Sequence, residues 1–130
     1  MEVVGIDHVA LRVTDMGRMI DFYERVLGCQ VERRQDELGL VHLRAGSALV
    51  DLIDIAGRMG RVGGDTTGAT APNLHHMCLR VAAFDLEEVR RKLELHGVEV
   101  GEIRERYGSS GSVASIYLQD PEGNGLELRG

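Results

Sequence analysis

The sequence predicts an α+β fold in which two tandem βαβββ modules form a curved mixed sheet around a cavity. The first observation is an internal repeat, since residues 8–13 align with residues 76–81 when the chain is shifted by about half its length. The second is that each of these stretches leads into one helix-like segment, and the third is that strand-like segments follow each helix. One helix covers only one face of a module's sheet, so the other face is expected to meet the second module.

Each module is predicted to contain one amphipathic helix. Apolar side chains recur at helical spacing over residues 15–27, and Gly28 is placed to end that helix. The second helix is predicted to begin after Asp85, an N-cap residue with Glu88 three positions on as its capping-box partner. Gly97 is the residue type that ends such a helix.

Three strand-like segments follow each helix. In the first module they cover residues 30–34, 40–44 and 48–53, and in the second they cover residues 99–103, 113–119 and 125–129. Residues 119–125 are dense in turn formers and predict a tight turn before the last strand.

The 130 residues are interpreted as a single domain with a real core. The first module covers about residues 1–56 and the second about residues 74–130. Between them, residues 57–73 are rich in glycine and lack periodicity, which predicts a mobile linker or a lid.

The composition limits the classes of partner. A net charge of −6 argues against nucleic acid or an anionic membrane, because both favour a basic face. No apolar run approaches membrane-spanning length and the N-terminal residues lack a secretory pattern, so a cytoplasmic protein with a small-molecule substrate is expected. In that compartment Cys29 and Cys78 are expected to be free, buried thiols.

Strand alternation brings two imidazoles and two carboxylates to the cavity side of the sheet. In the first strand of each module the apolar residues suit the helix-covered face, which leaves His8 and His76 on the other face. In the last strand of each module the same rule leaves Asp51 and Glu127 there, and a carboxylate so flanked by valine and leucine needs water or a charge partner. Together the four side chains form a suitable site for one divalent metal ion, such as Mn, Fe, Co, Ni or Zn.

Two further histidines are not expected to bind this metal. His75 has the opposite parity to its neighbour His76 and is interpreted as a structural residue. His96 lies at the end of the second predicted helix, where an imidazole interacts favourably with the helix dipole.

Four stretches of the sequence carry a family resemblance: DHVALRV, DFYERVLG, HHMCLRV and above all SIYLQDPEGNGLEL, residues 115–128. Through them essentially the whole chain resembles the vicinal oxygen chelate superfamily. That superfamily includes glyoxalase I, methylmalonyl-CoA epimerase, fosfomycin-modifying enzymes, extradiol dioxygenases and bleomycin-resistance proteins. The resemblance implies paired βαβββ modules with metal ligands on the first and last strand of each.

Carried over position by position, the family's ligands are His8, Asp51, His76 and Glu127, the same four residues that strand alternation selects. Asp51 departs from the family pattern, because glyoxalases and their close kin more often carry Glu or Gln there. Aspartate is one methylene shorter, so three alternatives stay open for Asp51: direct binding, binding through water, or no contact with the metal.

The resemblance implies an enzyme in which the metal chelates a small substrate through two neighbouring oxygens and stabilises an enolate. Glu127 is then the first candidate for the catalytic base and Asp51 the second. Isomerase or lyase chemistry like that of glyoxalases or epimerases is the expected reaction. Ile55 replaces an Asn that usually contacts glutathione in glyoxalase I, which argues against lactoylglutathione as the substrate.

Three other functions stay open. An Fe(II) extradiol-type dioxygenase or a fosfomycin-type thiol transferase needs only His8, His76 and Glu127 on the metal. A drug-binding protein of the bleomycin-resistance type is the non-enzymatic alternative. Those proteins lack the metal ligands and stack the drug on aromatic side chains, which make up only 4% of this chain.

Five further side chains are candidates for contact with the substrate. Arg12 and Arg80 have cavity-side parity, and the residue that matches Arg12 in glyoxalase I helps to hold a carboxylate. His42 matches Tyr117 in the repeat, while Ser115 and Tyr117 match substrate-side positions in fosfomycin-modifying enzymes. The family pairs its modules within one chain or across two, and a glycine-rich linker makes exchange easy, so a homodimer is expected.

Overall fold

The computed structural model describes residues 1–63 and 73–130 and shows both βαβββ modules. The first module consists of β1 (His8–Val13), α1 (Met16–Arg25), β2 (Gln30–Gln35), β3 (Leu40–Ala45) and β4 (Ala48–Asp54), followed by a short 3₁₀ turn (Gly60–Gly63). The second consists of β5 (His76–Arg80), α2 (Leu86–Leu95), β6 (Ile103–Gly108), β7 (Gly111–Gln119) and β8 (Gly125–Arg129). The predicted α+β class is confirmed, and most of the predicted linker lies outside the described residues.

Each module forms its own four-stranded mixed sheet. The strand orders are β1-β4-β3-β2 and β5-β8-β7-β6, and the first and last strands of each module are parallel neighbours. The other neighbours are antiparallel. This topology places the predicted imidazole strand of each module directly beside its carboxylate strand.

Both predicted helices are present and both begin at an aspartate. The Asp15 carboxylate accepts a hydrogen bond from the Arg18 backbone N–H at 2.9 Å, and Asp85 accepts one from Glu88 at 2.8 Å. The Glu88 side chain forms an ion pair with Lys92 at 2.8 Å. Within residues 1–63 and 73–130, no helix is long and apolar enough to cross a membrane.

One strand was predicted at the wrong place, because β6 begins at Ile103 and not at residue 99. After α2 the backbone folds back on the helix, with Val98 N–H donating to the Leu93 carbonyl at 3.0 Å. Gly101 N–H then donates to the Tyr117 carbonyl at 2.7 Å before the regular ladder starts. The glycine- and serine-rich stretch after β6 is a tight hairpin, since β7 begins at Gly111.

The two modules share one hydrophobic core. It combines the apolar faces of both sheets with side chains from both helices, and its most buried members include Leu11, Val13, Met19, Tyr23, Leu43, Leu52, Leu93, Ile116 and Leu126. Because side chains of a strand alternate between its faces, the opposite face of each sheet is turned away from this core. The candidate ligands therefore lie on the face of each sheet that is opposite to this core.

Polar contacts also join the modules, through the turn at residues 120–124. The Glu122 Oε1 accepts hydrogen bonds from the Thr14 backbone N–H, the Thr14 hydroxyl and the Asp15 backbone N–H at 2.6, 2.8 and 2.8 Å. The Tyr23 hydroxyl donates to Asp120 at 3.2 Å. Glu122 is only 4% exposed, so this carboxylate is a buried bridge between the start of α1 and the second module.

Both cysteines are free thiols in the described structure, as the sequence predicted. The expectation that both are buried is correct for Cys29 and wrong for Cys78. Cys78 lies on β5 beside Glu127 of β8. Burial of part of its side chain and the negative charge of Glu127 raise the pKa of the Cys78 thiol.

Candidate metal centre

In the second module, His76 and Glu127 form an imidazole–carboxylate pair. The His76 Nε2 and the Glu127 Oε2 are 3.6 Å apart. Two neighbouring ligands of one metal ion, each bound at about 2.1 Å, lie roughly 3 Å apart. The two atoms are therefore close enough to be two of the ligands of one metal ion. The imidazole is 38% exposed and the carboxylate is nearly buried.

Two hydroxyl groups hold the Glu127 carboxylate. Ser115 donates to Oε1 at 2.6 Å and Tyr117 donates to Oε2 at 2.7 Å. Burial on its own would raise the pKa of Glu127, but these hydrogen bonds and the nearby charges of His76 and Arg129 lower it below its ordinary value. Glu127 is therefore an anion at neutral pH, as a metal ligand must be.

A glycine allows the approach of the strand that carries His76. Gly125 is the register partner of His76. A Cβ atom at Gly125 would lie 2.2 Å from the His75 carbonyl oxygen and 2.9 Å from the His76 Cβ atom. The distance between β5 and β8 at the imidazole thus depends on the absence of a side chain at this position.

In the first module the candidate carboxylate is held by a third residue, His42. Its Nδ1 is 2.7 Å from the Asp51 Oδ1, and its Nε2 is 3.1 Å from the Gln35 side-chain nitrogen. Asp51 is only 6% exposed. A buried carboxylate needs a hydrogen-bond donor, and here that donor is an imidazole from the neighbouring strand.

His8, the other candidate ligand of the first module, is exposed. Its Nδ1 is 2.7 Å from an Asp7 carboxylate oxygen, which leaves Nε2 for another partner. The hydrogen bond with Asp7 and the negative charge of Asp51 raise the pKa of His8. His8 and Asp51 lie on the adjacent parallel strands β1 and β4, two register positions apart.

The four candidate ligands do not come together in one chain. Over residues 1–63 and 73–130, no group of three or more His, Cys, Asp or Glu side chains is arranged to hold a metal. A cavity with all four side chains is therefore not formed within the described part of one chain. The donor set fits a metal as two half-sites, each with one imidazole and one carboxylate.

The remaining candidates lie on these same faces or at their ends. The Arg12 Nε donates to the Gly60 carbonyl at 2.9 Å, and Arg80 is exposed at the end of β5. His75 is exposed and its Nδ1 is 2.8 Å from the His76 Nδ1. His96 is the C-cap residue of α2, at the helix end where the sequence predicted it.

The sequence reasoning missed three contributors. Gln35 contacts His42, and Gly125 admits His76. The Arg106 guanidinium lies 5.7 Å from the centre of the Tyr117 ring. Arg106 borders an open cavity of about 450 Å³. The cavity is lined by His75, His76, Glu102, Arg106, Tyr107, Tyr117 and Glu127. Strand register could have identified Gly125, the register partner of His76, but register is not visible in a single sequence. Gln35 and Arg106 are not register partners of the residues that they contact.

Comparisons with known proteins agree with this architecture. The model of the Glyoxalase/Bleomycin resistance protein/Dioxygenase superfamily matches residues 5–128. The chain belongs to this superfamily. Among relatives, the glyoxalase domain-containing protein RDO1 of Mycosarcoma maydis is 30% identical over 98% of this chain and 69% of its own length. Human mitochondrial methylmalonyl-CoA epimerase is 26% identical over 74% of this chain and 60% of its own length.

Solved structures of the superfamily have the same fold. Virulence protein STM3117 of Salmonella typhimurium is 29% identical over 98% of this chain and 85% of its own length. Its crystal structure superposes with a TM-score of 0.82 over 98% of this chain and 97% of that one, at 26% identity. The fosfomycin resistance protein FosX of Listeria monocytogenes, complexed with Mn(II) and sulfate, has a TM-score of 0.71 at 16% identity over 98% and 90% of the two chains. At that identity the likeness to FosX shows the fold alone.

Proposed function

We propose that this superfamily member is a divalent-metal-dependent, cytoplasmic enzyme that performs isomerase or lyase chemistry on a small oxygenated substrate. The observation that carries the proposal is the occurrence of one imidazole–carboxylate pair at equivalent strand positions of both modules. Two imidazoles and two carboxylates suit a borderline divalent ion such as Mn, Fe, Co, Ni or Zn. When bound, such a metal polarises a substrate oxygen and stabilises negative charge on it.

The site requires a second copy of the chain in this proposal. His8 and Asp51 of one chain would share a metal with His76 and Glu127 of the other, because the four side chains do not come together within the described residues of one chain. A twofold axis that brings module one against module two does so twice, so a homodimer would hold two identical sites. Each site would then include both candidate arginines, one from each chain.

The chain's own groups provide for proton movement in this site. Glu127 is kept anionic by Ser115 and Tyr117, so at neutral pH it is available either to bind a cation or to accept a proton. Asp51 is the second carboxylate, on the opposite half of the site. Carboxylates on two sides of a substrate suit removal of a proton at one carbon and its return at another.

Metal analysis of the purified protein tests the first part of the proposal. We expect about one divalent ion per chain after reconstitution, with loss of binding in His76→Ala and in Glu127→Gln. A correctly folded wild-type protein that binds none of the five candidate ions would contradict the proposal. Asp51→Ala decides separately whether the first-module carboxylate binds the metal.

Mixed dimers test the sharing of the site between chains. His8→Ala and His76→Ala are unfolded and refolded together in equal amounts, and bound Co²⁺ is counted. If sites form between copies, about half of the dimers are mixed and each has one site with both halves intact, so about a quarter of wild-type binding returns. If sites form within a chain, no binding returns, because every chain carries a defective half.

The class of reaction is tested by solvent exchange. An isomerase or lyase of this kind should incorporate deuterium from ²H₂O beside the carbonyl of a thioester or hemithioacetal substrate. Oxygen uptake with catechols in the Fe(II) form would replace the isomerase proposal with a dioxygenase. Drug binding by a metal-free protein without any turnover would replace it with a sequestering function.

A further inference from the structure

We propose that His42 is a positioning residue that fixes the Asp51 carboxylate, so that a single oxygen atom, Oδ2, is presented to the metal. This inference rests on the proposed metal site and adds to it a residue whose own nitrogens do not bind the metal. It also gives a physical reason why the shorter aspartate can serve where related sequences carry a longer side chain.

The first support is the register of β3 and β4. His42 and Asp51 are direct cross-strand partners, so their side chains share one face of the sheet. The Nδ1–Oδ1 distance of 2.7 Å is that of a charge-assisted hydrogen bond. Both side chains are largely enclosed, since 17% of the side-chain surface of His42 and 9% of that of Asp51 are exposed. Among residues 1–63 and 73–130, His42 is the one hydrogen-bond partner found for this carboxylate.

The second support is the way in which His42 is itself held. The Gln35 side-chain nitrogen lies 3.1 Å from the His42 Nε2, and an amide N–H can only donate. With the amide in this orientation, Nε2 is the acceptor and the ring proton is on Nδ1, where it points to Asp51. A chain of donors thus crosses the sheet from Gln35 through His42 to Asp51, and neither ring nitrogen remains for direct contact with a substrate.

The third support is a comparison with the second module. Tyr117 is the register partner of Glu127, as His42 is of Asp51. Glu127 accepts a hydroxyl hydrogen bond on each of its oxygens, whereas Asp51 accepts on Oδ1 only. Oδ2 has no hydrogen-bond partner among the described residues and is not fully buried. It is therefore open to a ligand. His42 therefore determines which oxygen of Asp51 is available.

Co²⁺ binding measured by visible absorption tests the role of His42, because the band positions report the ligands of the ion. We compare wild type with His42→Ala and with His42→Asn, whose side-chain amide keeps an N–H near the position of Nδ1. His96→Ala is the matched control, since it removes a histidine at the end of α2. Thermal unfolding of the metal-free proteins measures any general loss of structure.

We expect His42→Ala to bind Co²⁺ about 10- to 100-fold more weakly, which is the usual effect of removing a group that orients a metal ligand, and to shift the absorption bands. His42→Asn should restore most of the affinity and the wild-type bands, and His96→Ala should match wild type. Unchanged affinity and bands in His42→Ala would overturn the inference. Equal losses in the Ala and Asn variants would overturn it too. If wild type itself binds no metal, it is the proposed function that fails.

Discussion

Removal of the Glu122 carboxylate should weaken the connection between the two modules. Glu122→Ala eliminates three hydrogen bonds, two from backbone N–H groups at the start of α1 and one from the Thr14 hydroxyl. Hydrogen bonds to charged groups contribute about 1.5–3 kcal/mol each, but Thr14 and Asp15 are exposed and regain water once the carboxylate is gone. We therefore take about 1 kcal/mol for each bond and expect a loss of about 3 kcal/mol in the free energy of unfolding.

Glu122→Gln separates the hydrogen bonds from the charge. The amide oxygen can still accept at the Oε1 position, while the amide nitrogen takes the place of Oε2, a buried atom without a hydrogen-bond partner. A loss of about 1 kcal/mol is expected, smaller than for alanine. In a double-mutant cycle, Thr14→Val and Glu122→Ala should be coupled by about 1 kcal/mol, because both remove the same hydroxyl contact.

Urea denaturation followed by far-ultraviolet circular dichroism measures these losses. All variants are compared at one protein concentration, because the stability of a dimer depends on it. Glu37→Ala, which removes an exposed carboxylate, is the control and should stay within about 0.5 kcal/mol of wild type. A loss below about 1 kcal/mol in Glu122→Ala, or an equal loss in the glutamine variant, would refute the reasoning.

Three further predictions concern the site and the core. Gly125→Ala should cost at least about 2 kcal/mol and weaken Co²⁺ binding, because its Cβ would lie 2.2 Å from the His75 carbonyl oxygen; calorimetry and a metal titration check both effects. Ser115→Ala should raise the pKa of Glu127 in a carbon-13 NMR titration. The lowered pKa of Glu127 in the folded state stabilises the protein at pH values above the pKa of this group in the unfolded state, and this stabilisation is lost as the pH falls through the folded-state pKa. Wild type should therefore lose more stability than this variant on acidification. Leu52→Ala, at a fully buried core position, should cost about 3 kcal/mol in urea denaturation.

The sequence alone was sufficient to predict the pair of His76 and Glu127. The internal repeat showed which strands of the two modules are equivalent, and the alternation of apolar and polar residues predicted on which face of the sheet each side chain lies. Both signals are local and periodic, so they are visible in the sequence. The strand register around His42 and Tyr117 could have indicated that each of them lies opposite a carboxylate. Using the register requires knowing which residues of neighbouring strands pair with each other, and the hydrophobic periodicity of the sequence does not show this.

Two expectations failed for reasons that lie outside any local pattern. The start of β6 is determined by contacts of residues 98–101 with α2 and β7, which tertiary packing decides. Alternation separates the two faces of a sheet but does not specify which faces pack together. Alternation therefore placed His8 with Asp51, and His76 with Glu127, on one face of each sheet. That the four side chains do not come together within the described part of one chain became visible only in the structure.

That core has a consequence for synthesis of the chain. Thr14 meets Glu122 across 108 positions, so the contact closes only after the final turn has left the ribosome. Until then the newly made first module carries an apolar surface with nothing to cover it, and such surfaces attract chaperones or aggregate. Ribosomes stalled just before residue 120 should therefore display nascent chains that are far more sensitive to protease than those released after β8.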